Sequence, residues 1–259
     1  MTKPIQVFLR HCYHSDLQDR PDTNRSKWFN KYKVFQNFKN TLDPDLVDYT
    51  IIYDEFYGGV KKTFLRSEKN VNIISCGLEN DSFLETLDII QSKNFNDDQI
   101  IYFLEDDYVH RPGWGEVLLE GFEIGTSYVT LYDLDFYYNK GGLTKLYLTS
   151  KSHWRIVPAT TQTFACRYKT LIEDLDLHRK HSLEGVKYDN GDRMHSDDFS
   201  KFRELSERGK YLVSPIPGWS THSDDKHVSP LVDWEKILNE TYRKDQSKYV
   251  KKFHNVYSN

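Results

Sequence analysis

Short apolar runs alternate along this chain with longer stretches in which apolar residues recur every three to four positions. Runs of the first kind lie at 5–10, 49–54, 71–75, 99–104, 127–132, 155–158 and 210–214, and their length and β-branched or aromatic content predict buried strands. Stretches of the second kind predict helices over 27–40, 80–93, 114–120, 168–176, 198–208 and 232–246. In the second of these, Phe83, Leu84, Leu87 and Ile90 keep helical spacing behind Asn80-Asp81-Ser82, a segment able to cap the start. Gly209 stands where the helix over 198–208 would end. Such alternation is the order of an α/β domain with a mixed, mainly parallel sheet flanked by helices. No internal repeat and no Pro/Gly/Ser-rich linker divides it. The expectation is one domain over 1–230 and a helical tail over 231–259, whose Lys- and Tyr-rich composition suits a lid, a dimer contact or a membrane-surface helix equally.

One strand changes character at its tip. Residues 100–110 read Ile-Ile-Tyr-Phe-Leu-Glu-Asp-Asp-Tyr-Val-His, five apolar or aromatic residues running into Glu105, Asp106 and Asp107. In open α/β sheets ligands bind beyond the carboxyl ends of the strands. Carboxylates crowded on one turn repel each other unless a cation neutralises them, and oxygen ligands suit Mg²⁺ or Mn²⁺, ions that commonly bridge to phosphate. A solvated strand-end turn would carry the same residues.

Two further segments add candidate chemistry. In Ser196-Asp197-Asp198-Phe199 a carboxylate pair opens an amphipathic helix with Phe199, Phe202 and Leu205 along one face. The helix dipole favours acids there, and the same rigid position suits a general base. Downstream, the strand at 210–214 runs into Pro215-Ile216-Pro217-Gly218, then Trp219 and His222, with His227 five residues on. Asp133 and Asp135 form a second acidic pair, which strand alternation would turn to one face. They rank behind 105–107 as a metal site and suit the lining of an acceptor site. Aromatic residues make up 15% of the chain, and Trp154 and Trp219 fall beside the presumed cleft, with Trp219 a platform for a sugar ring.

Composition narrows the partners. A net charge of -4 from interspersed residues gives no field for nucleic acid. Cys12, Cys76 and Cys166 are far apart without a CxxC pair, which excludes a disulfide framework and predicts small buried hydrophobes. No run could span a bilayer and the first residues lack a signal-length apolar stretch, so a soluble cytoplasmic protein is expected, with peripheral membrane contact left to the tail.

The three motifs, in this order, resemble the inverting GT-A glycosyltransferases, the family 2-like enzymes that use nucleotide-diphosphate sugars. The likeness runs from about Ile5 to His222 and is specific at Glu105-Asp106-Asp107, at Asp197-Asp198 with Gly209, and at Pro215 with His222. It implies a GT-A-like, Rossmann-like fold and transfer of a sugar from a nucleotide-diphosphate donor to a hydroxyl of a glycan or other acceptor, dependent on Mn²⁺ or Mg²⁺. By this resemblance Asp107 holds the metal with Asp106 assisting there or at the donor ribose, and Glu105 belongs to the nucleotide-sugar site. Asp198 is the base with Asp197 beside it, His222 or His227 is a late metal or diphosphate ligand, and Asp54 contacts the nucleotide base. The first motif departs from Asp-x-Asp, and the second opens with Asp where Glu is commoner. Two rival classes use the same residues: a metal-dependent phosphoester hydrolase drawing on His11, His14, Asp16 and His222, and a sugar-nucleotide-binding module without catalysis.

Overall fold

A computed structural model of the chain describes residues 3–12, 25–187 and 194–242. Four parallel strands form one half of the main sheet: β1 (Ile5–Cys12), β2 (Val47–Asp54), β3 (Val71–Ile74) and β4 (Ile100–Glu105). The crossovers carry α1 (Lys31–Thr41) and α2 (Glu79–Ser92). Then come β5 (Tyr108–His110), α3 (Trp114–Glu123), β6 (Tyr128–Val129), α4 (Phe136–Lys140), β7 (Tyr147–Leu148), β8 (His153–Val157) and β9 (Phe164–Arg167). The order closes with α5 (Tyr168–Glu173), α6 (Leu175–Glu184), β10 (Val186–Lys187), β11 (Met194–His195), α7 (Asp198–Glu207), β12 (Leu212–Ile216), β13 (Ser220–His222) and a helix over 234–242.

The nine-stranded sheet runs β3-β2-β1-β4-β9-β6-β12-β8-β7. It is the expected α/β architecture with a mixed sheet: β9 enters antiparallel between β4 and β6, and β12 runs parallel to β6 but antiparallel to β8. Strand alternation sorts the side chains into two layers. Val7, Leu9, Ile51, Tyr53, Tyr102 and Leu104 pack on one face with Phe35 and Phe38 of α1 and Trp114, Val117 and Leu118 of α3. Phe8, Ile52, Ile101 and Phe103 pack on the other with Phe83, Leu87 and Ile90 of α2, Leu171, Leu177, Phe202 and Leu205. Helices on both faces explain why these strands read as continuous apolar runs rather than alternating ones.

β2 and β3 lie on one side of β1 and β4 on the other. The sheet therefore reverses its direction of growth between β1 and β4, the kind of switch point where open α/β sheets form a ligand crevice beyond the carboxyl ends of the strands, here at Cys12 and Glu105. That crevice sets the place of the site.

Several boundaries differ from the sequence pattern for local reasons. α2 starts at Glu79 behind Leu78 without a side-chain cap, so Asn80 falls inside the first turn, where its amide donates to the carbonyl of Ser182, 3.3 Å away. α6 went unseen because its buried face carries His178, His181 and Ser182 beside Leu177, so apolar spacing does not mark it. α7 ends as expected: Gly209 has φ of 78°, its N–H reaches the carbonyl of Ser206, and Lys210 N–H reaches that of Leu205, closing a Schellman motif. Among the cysteines only Cys166 is buried, and none of the three forms a disulfide. The described part of the tail packs on the domain, with Trp234 and Leu238 against Phe29, Val34 and Val109. The rest of the tail, most of the glycine loop 185–191, and His14 with Asp16 lie outside the described residues. No described helix is long and apolar enough to cross a membrane.

Close packing of α3 on the sheet rests on Gly121. A Cβ there would stand 2.7 Å from Val129 Cγ1 and 2.9 Å from Trp154 Cη2, both in the core. Gly121→Ala should therefore destabilise the protein by about 1–3 kcal/mol through overpacking, although alanine in an open helix would gain roughly 1 kcal/mol. Urea unfolding would read the difference, and an unchanged or raised midpoint would mean that α3 has room to shift.

Candidate functional site

Asp106 and Asp107 form a turn between β4 and β5, and the turn, not strand alternation, decides where each acid points. Glu105 and Asp107 come together with His222, and Asp106 is directed to Lys31 and His11. This separates residues that the sequence places together. Asp106 Oδ2 accepts from Lys31 Nζ and from the backbone N–H of Cys12 at 3.3 Å, and lies 2.8 Å from His11 Nδ1. Burial would raise its pKa, but Lys31 and His11 outweigh burial and hold it at about 2.

Glu105 has a different partner. Arg10 sits beside it in the β1–β4 register and places Nη2 at 3.1 Å from Glu105 Oε1 and Nη1 at 2.7 Å from Glu79 Oε1. Burial, together with the charges of Asp107, Glu79 and Asp106, keeps the Glu105 carboxyl well above the ordinary range despite Arg10.

Asp107 is 4% exposed. The β5–β13 ribbon pairs Tyr108 with His222 and so sets His222 Nε2 3.2 Å from Asp107 Oδ2. Arg25 Nη1 bonds the same oxygen and also reaches Ser223 Oγ at 3.0 Å. Against burial, His222 and Arg25 hold Asp107 below the ordinary carboxylate range. Its other oxygen, Oδ1, is buried without a hydrogen-bond partner among the described residues. His222 Nδ1 accepts the N–H of Asp224 at 3.0 Å, so the ring presents its proton at Nε2, toward Asp107.

Glu105, Asp107 and His222 together offer ligand atoms that all lie within 4.8 Å of one another. Two carboxylates with an unpartnered buried oxygen between β4 and β5 have the chemistry of a hard-cation site. Glu105 thus stands where the sequence suggested Asp106. His222, presenting an N–H, also suits an anion.

The helix-start pair divides in the same way. Asp197 caps α7, accepting from Ser200 N–H at 2.9 Å. Asp198, 8% exposed, has Lys201 Nζ 2.6 Å and Gln162 Nε2 3.1 Å from Oδ1, and Oδ2 accepts from the backbone N–H of Gln162. Burial raises its pKa in spite of Lys201 and Gln162. The loop holding Gln162 also touches the acidic turn: Thr163 Oγ1 accepts the Glu105 N–H at 3.4 Å, and the Thr161 carbonyl accepts the Tyr108 hydroxyl at 2.9 Å. Asp198 and Glu105 are thereby fixed to one loop, whose Gln162 holds φ of 54°.

Other expected residues are engaged elsewhere. Asp54 ends β2 with its oxygens accepting from the N–H groups of Phe56, Cys76 and Gly77, which shapes the loop after β2. Asp133 is fully buried, bonded to Arg155 Nη2 and to the Tyr138 hydroxyl at 2.6 Å. Asp135 accepts from Asn139 Nδ2 at 3.3 Å at the start of α4. Trp219 lies three residues, about 10 Å of extended strand, from His222, and the Arg111 guanidinium covers its ring at 4.1 Å. Trp154 is core. His11 is buried on Asp106, and His227 packs edge-on to His222 at 5.8 Å between ring centroids. Sequence reading missed Arg10, Arg25, Lys31, Glu79, Gln162 and Lys201. A local signal existed for Arg10, a charge inside an otherwise apolar strand.

No protein-family model matches the chain, and no curated protein matches its sequence. Among solved structures it is similar to a CMP:2-keto-3-deoxy-manno-octonic acid synthetase complexed with CTP, at 13% identity and a TM-score of 0.48 over 95% of this chain and 100% of that one. It is also similar to a 4-diphosphocytidyl-2C-methyl-D-erythritol synthase from Anaerococcus prevotii, at 11% identity and a TM-score of 0.44 over 94% and 96%. Likeness at this level transfers no activity, so any chemistry must come from the chain's own residues.

Proposed function

We propose that the chain is an inverting glycosyltransferase that moves a sugar from a nucleotide-diphosphate donor to a hydroxyl acceptor, with a divalent cation at Glu105 and Asp107. The observation that carries this reading is the buried, unpartnered Oδ1 of Asp107, beside Glu105 and His222 at the crevice where the sheet reverses. A cation bound there would neutralise charge that develops on the departing diphosphate. The protein's own groups add to this: His222 presents an N–H and Arg25 a guanidinium, both donors to phosphate oxygens.

In the transfer, the bond between the sugar's anomeric carbon and the diphosphate oxygen breaks as the acceptor oxygen bonds to that carbon. The acceptor's proton passes to Asp198, whose Oδ2 keeps a lone pair beyond the bond from Gln162. A carboxyl raised by burial is a better base at neutral pH than an ordinary aspartate. Lys201 and Gln162 hold it in one orientation, so its role does not depend on a mobile side chain. One base and one displacement give inversion.

A thermal-shift panel of nucleoside diphosphates and nucleotide sugars, each with Mn²⁺ or chelator, tests donor binding, since a ligand of the native state alone raises the melting temperature. A metal-dependent shift with one base is expected, and no shift with any of them would remove the donor site. Asp107→Asn should abolish that shift. Asp198→Asn should keep it while transfer, followed by product NMR, falls by about 10²–10⁴-fold; near-normal turnover would place the base elsewhere.

A further inference from the structure

In the structure the Asp107 carboxylate already has a full positive charge upon it. Arg25 and His222 both address Oδ2, while Oδ1 is left without a partner among the described residues. Arg25 is held at three points. Its backbone forms a β-bridge with Asp224, its guanidinium reaches Ser223 Oγ at 3.0 Å, and its plane lies 5.0 Å over the Phe29 ring. The neighbouring Ser26 N–H bonds the Ser223 carbonyl at 2.8 Å. The backbone at Arg25 is therefore tied to the segment that carries His222, so any change of direction falls to the side chain, by rotation away from its contacts with Asp107, Ser223 and Phe29.

Each carboxylate of the cluster has its own permanent cation: Arg10 for Glu105, Lys31 for Asp106 and Arg25 for Asp107. Arg10 and Lys31 are each held by a second partner, the first by the Glu79 carboxylate and carbonyl and the second by the Cys12 carbonyl, as Arg25 is by Ser223 Oγ. They are nearly inaccessible, whereas about a quarter of the Arg25 side chain is exposed. A divalent ion at Glu105 and Asp107 would meet the Arg25 guanidinium at short range, and two like charges on one carboxylate repel.

We propose that Arg25 is an internal counter-ion that competes with the divalent cation for Asp107 and turns to the phosphate of the donor when cation and nucleotide bind together. This rests on the cation site proposed above and adds its regulation. The free protein then binds the bare cation weakly. Nucleotide diphosphate strengthens cation binding by giving the displaced guanidinium a new anionic partner, and by linkage the cation strengthens nucleotide binding equally.

The test is calorimetric titration of Mn²⁺ into the full-length protein, its Arg25→Gln variant and its Arg25→Lys variant, with and without a saturating nucleoside diphosphate chosen from the thermal-shift panel. Arg25→Gln is expected to bind Mn²⁺ alone about tenfold or more tighter than the native protein, and to lose most of the enhancement by nucleotide. Arg25→Lys, which keeps the charge, is expected to stay near the native value. Circular dichroism reports whether each variant is folded, and should Arg25→Gln be unfolded, tighter Mn²⁺ binding by Ser223→Ala, which frees the guanidinium from its anchor, makes the same test. Equal or weaker Mn²⁺ binding by the folded Arg25→Gln, with Asp107→Asn abolishing it, would overturn the competition and leave the cation site standing. Absence of Mn²⁺ binding in every form, with and without nucleotide, would overturn both.

Discussion

Three consecutive carboxylates at the end of a buried strand must be neutralised before the strand can be buried at all. Leaving an unpaired charge inside costs several kcal/mol, more than most single interactions return. The solution here is spatial separation by the turn that follows β4, with one cation for each acid. Arg10 comes from the neighbouring parallel strand, Lys31 from the first turn of α1, and Arg25 from the segment that borders β13. Much of the fold around the crevice can be understood as the means of delivering these three side chains. The register of β1 on β4, the approach of α1 to the end of β1, and the pairing of β5 with β13 each bring one charge into place.

The same logic sets apart the acids that serve the framework. Asp133 lies in a closed pair with Arg155, and the rings of Tyr137 and Tyr138 flank that guanidinium at 4.4 and 5.1 Å. Asp54 is saturated by three backbone N–H groups. Asp107 differs from both, since one of its oxygens has no partner among the described residues in a dry environment. Such an atom is costly to leave unmet, and sites where a protein tolerates it tend to be sites where a ligand completes it.

Much of this was legible in the chain, and the limits have a physical origin. The parallel strands and α2 could be read because helices cover both faces of the sheet, making the strands apolar throughout. The acidic tip of β4 stood out for the same reason. What a single strand cannot reveal is which acid turns which way at the turn, so the sequence could not show that Glu105, rather than Asp106, lies beside Asp107 and His222. The cations were hidden by distance: Arg10 is 95 residues from Glu105, Lys31 is 75 from Asp106 and Arg25 is 82 from Asp107. The ribbon that delivers His222 consists of three-residue strands, too short to leave a periodic trace. The pair Asp197-Asp198 could be read as the opening of an amphipathic helix, but the contact of Asp198 with Gln162 depends on a backbone conformation that residue identity does not announce.

Asn37, fully buried in α1, clasps two remote parts of the chain. Its amide donates to the carbonyl of His110 at 2.9 Å and to Thr241 Oγ1 at 3.0 Å, and its oxygen accepts the His110 N–H at 2.7 Å. The ribbon that bears His222 is thus fastened, through α1, to a residue 204 positions further along the chain than the clasp itself. During synthesis the sheet can begin to assemble as β1, β2 and β4 leave the ribosome, yet this fastening waits until residue 241 has emerged. The crevice therefore reaches its final form only once residue 241 has been made, so the growing chain carries the acidic strand tip at 105–107 without its complete setting while more than a hundred further residues are added.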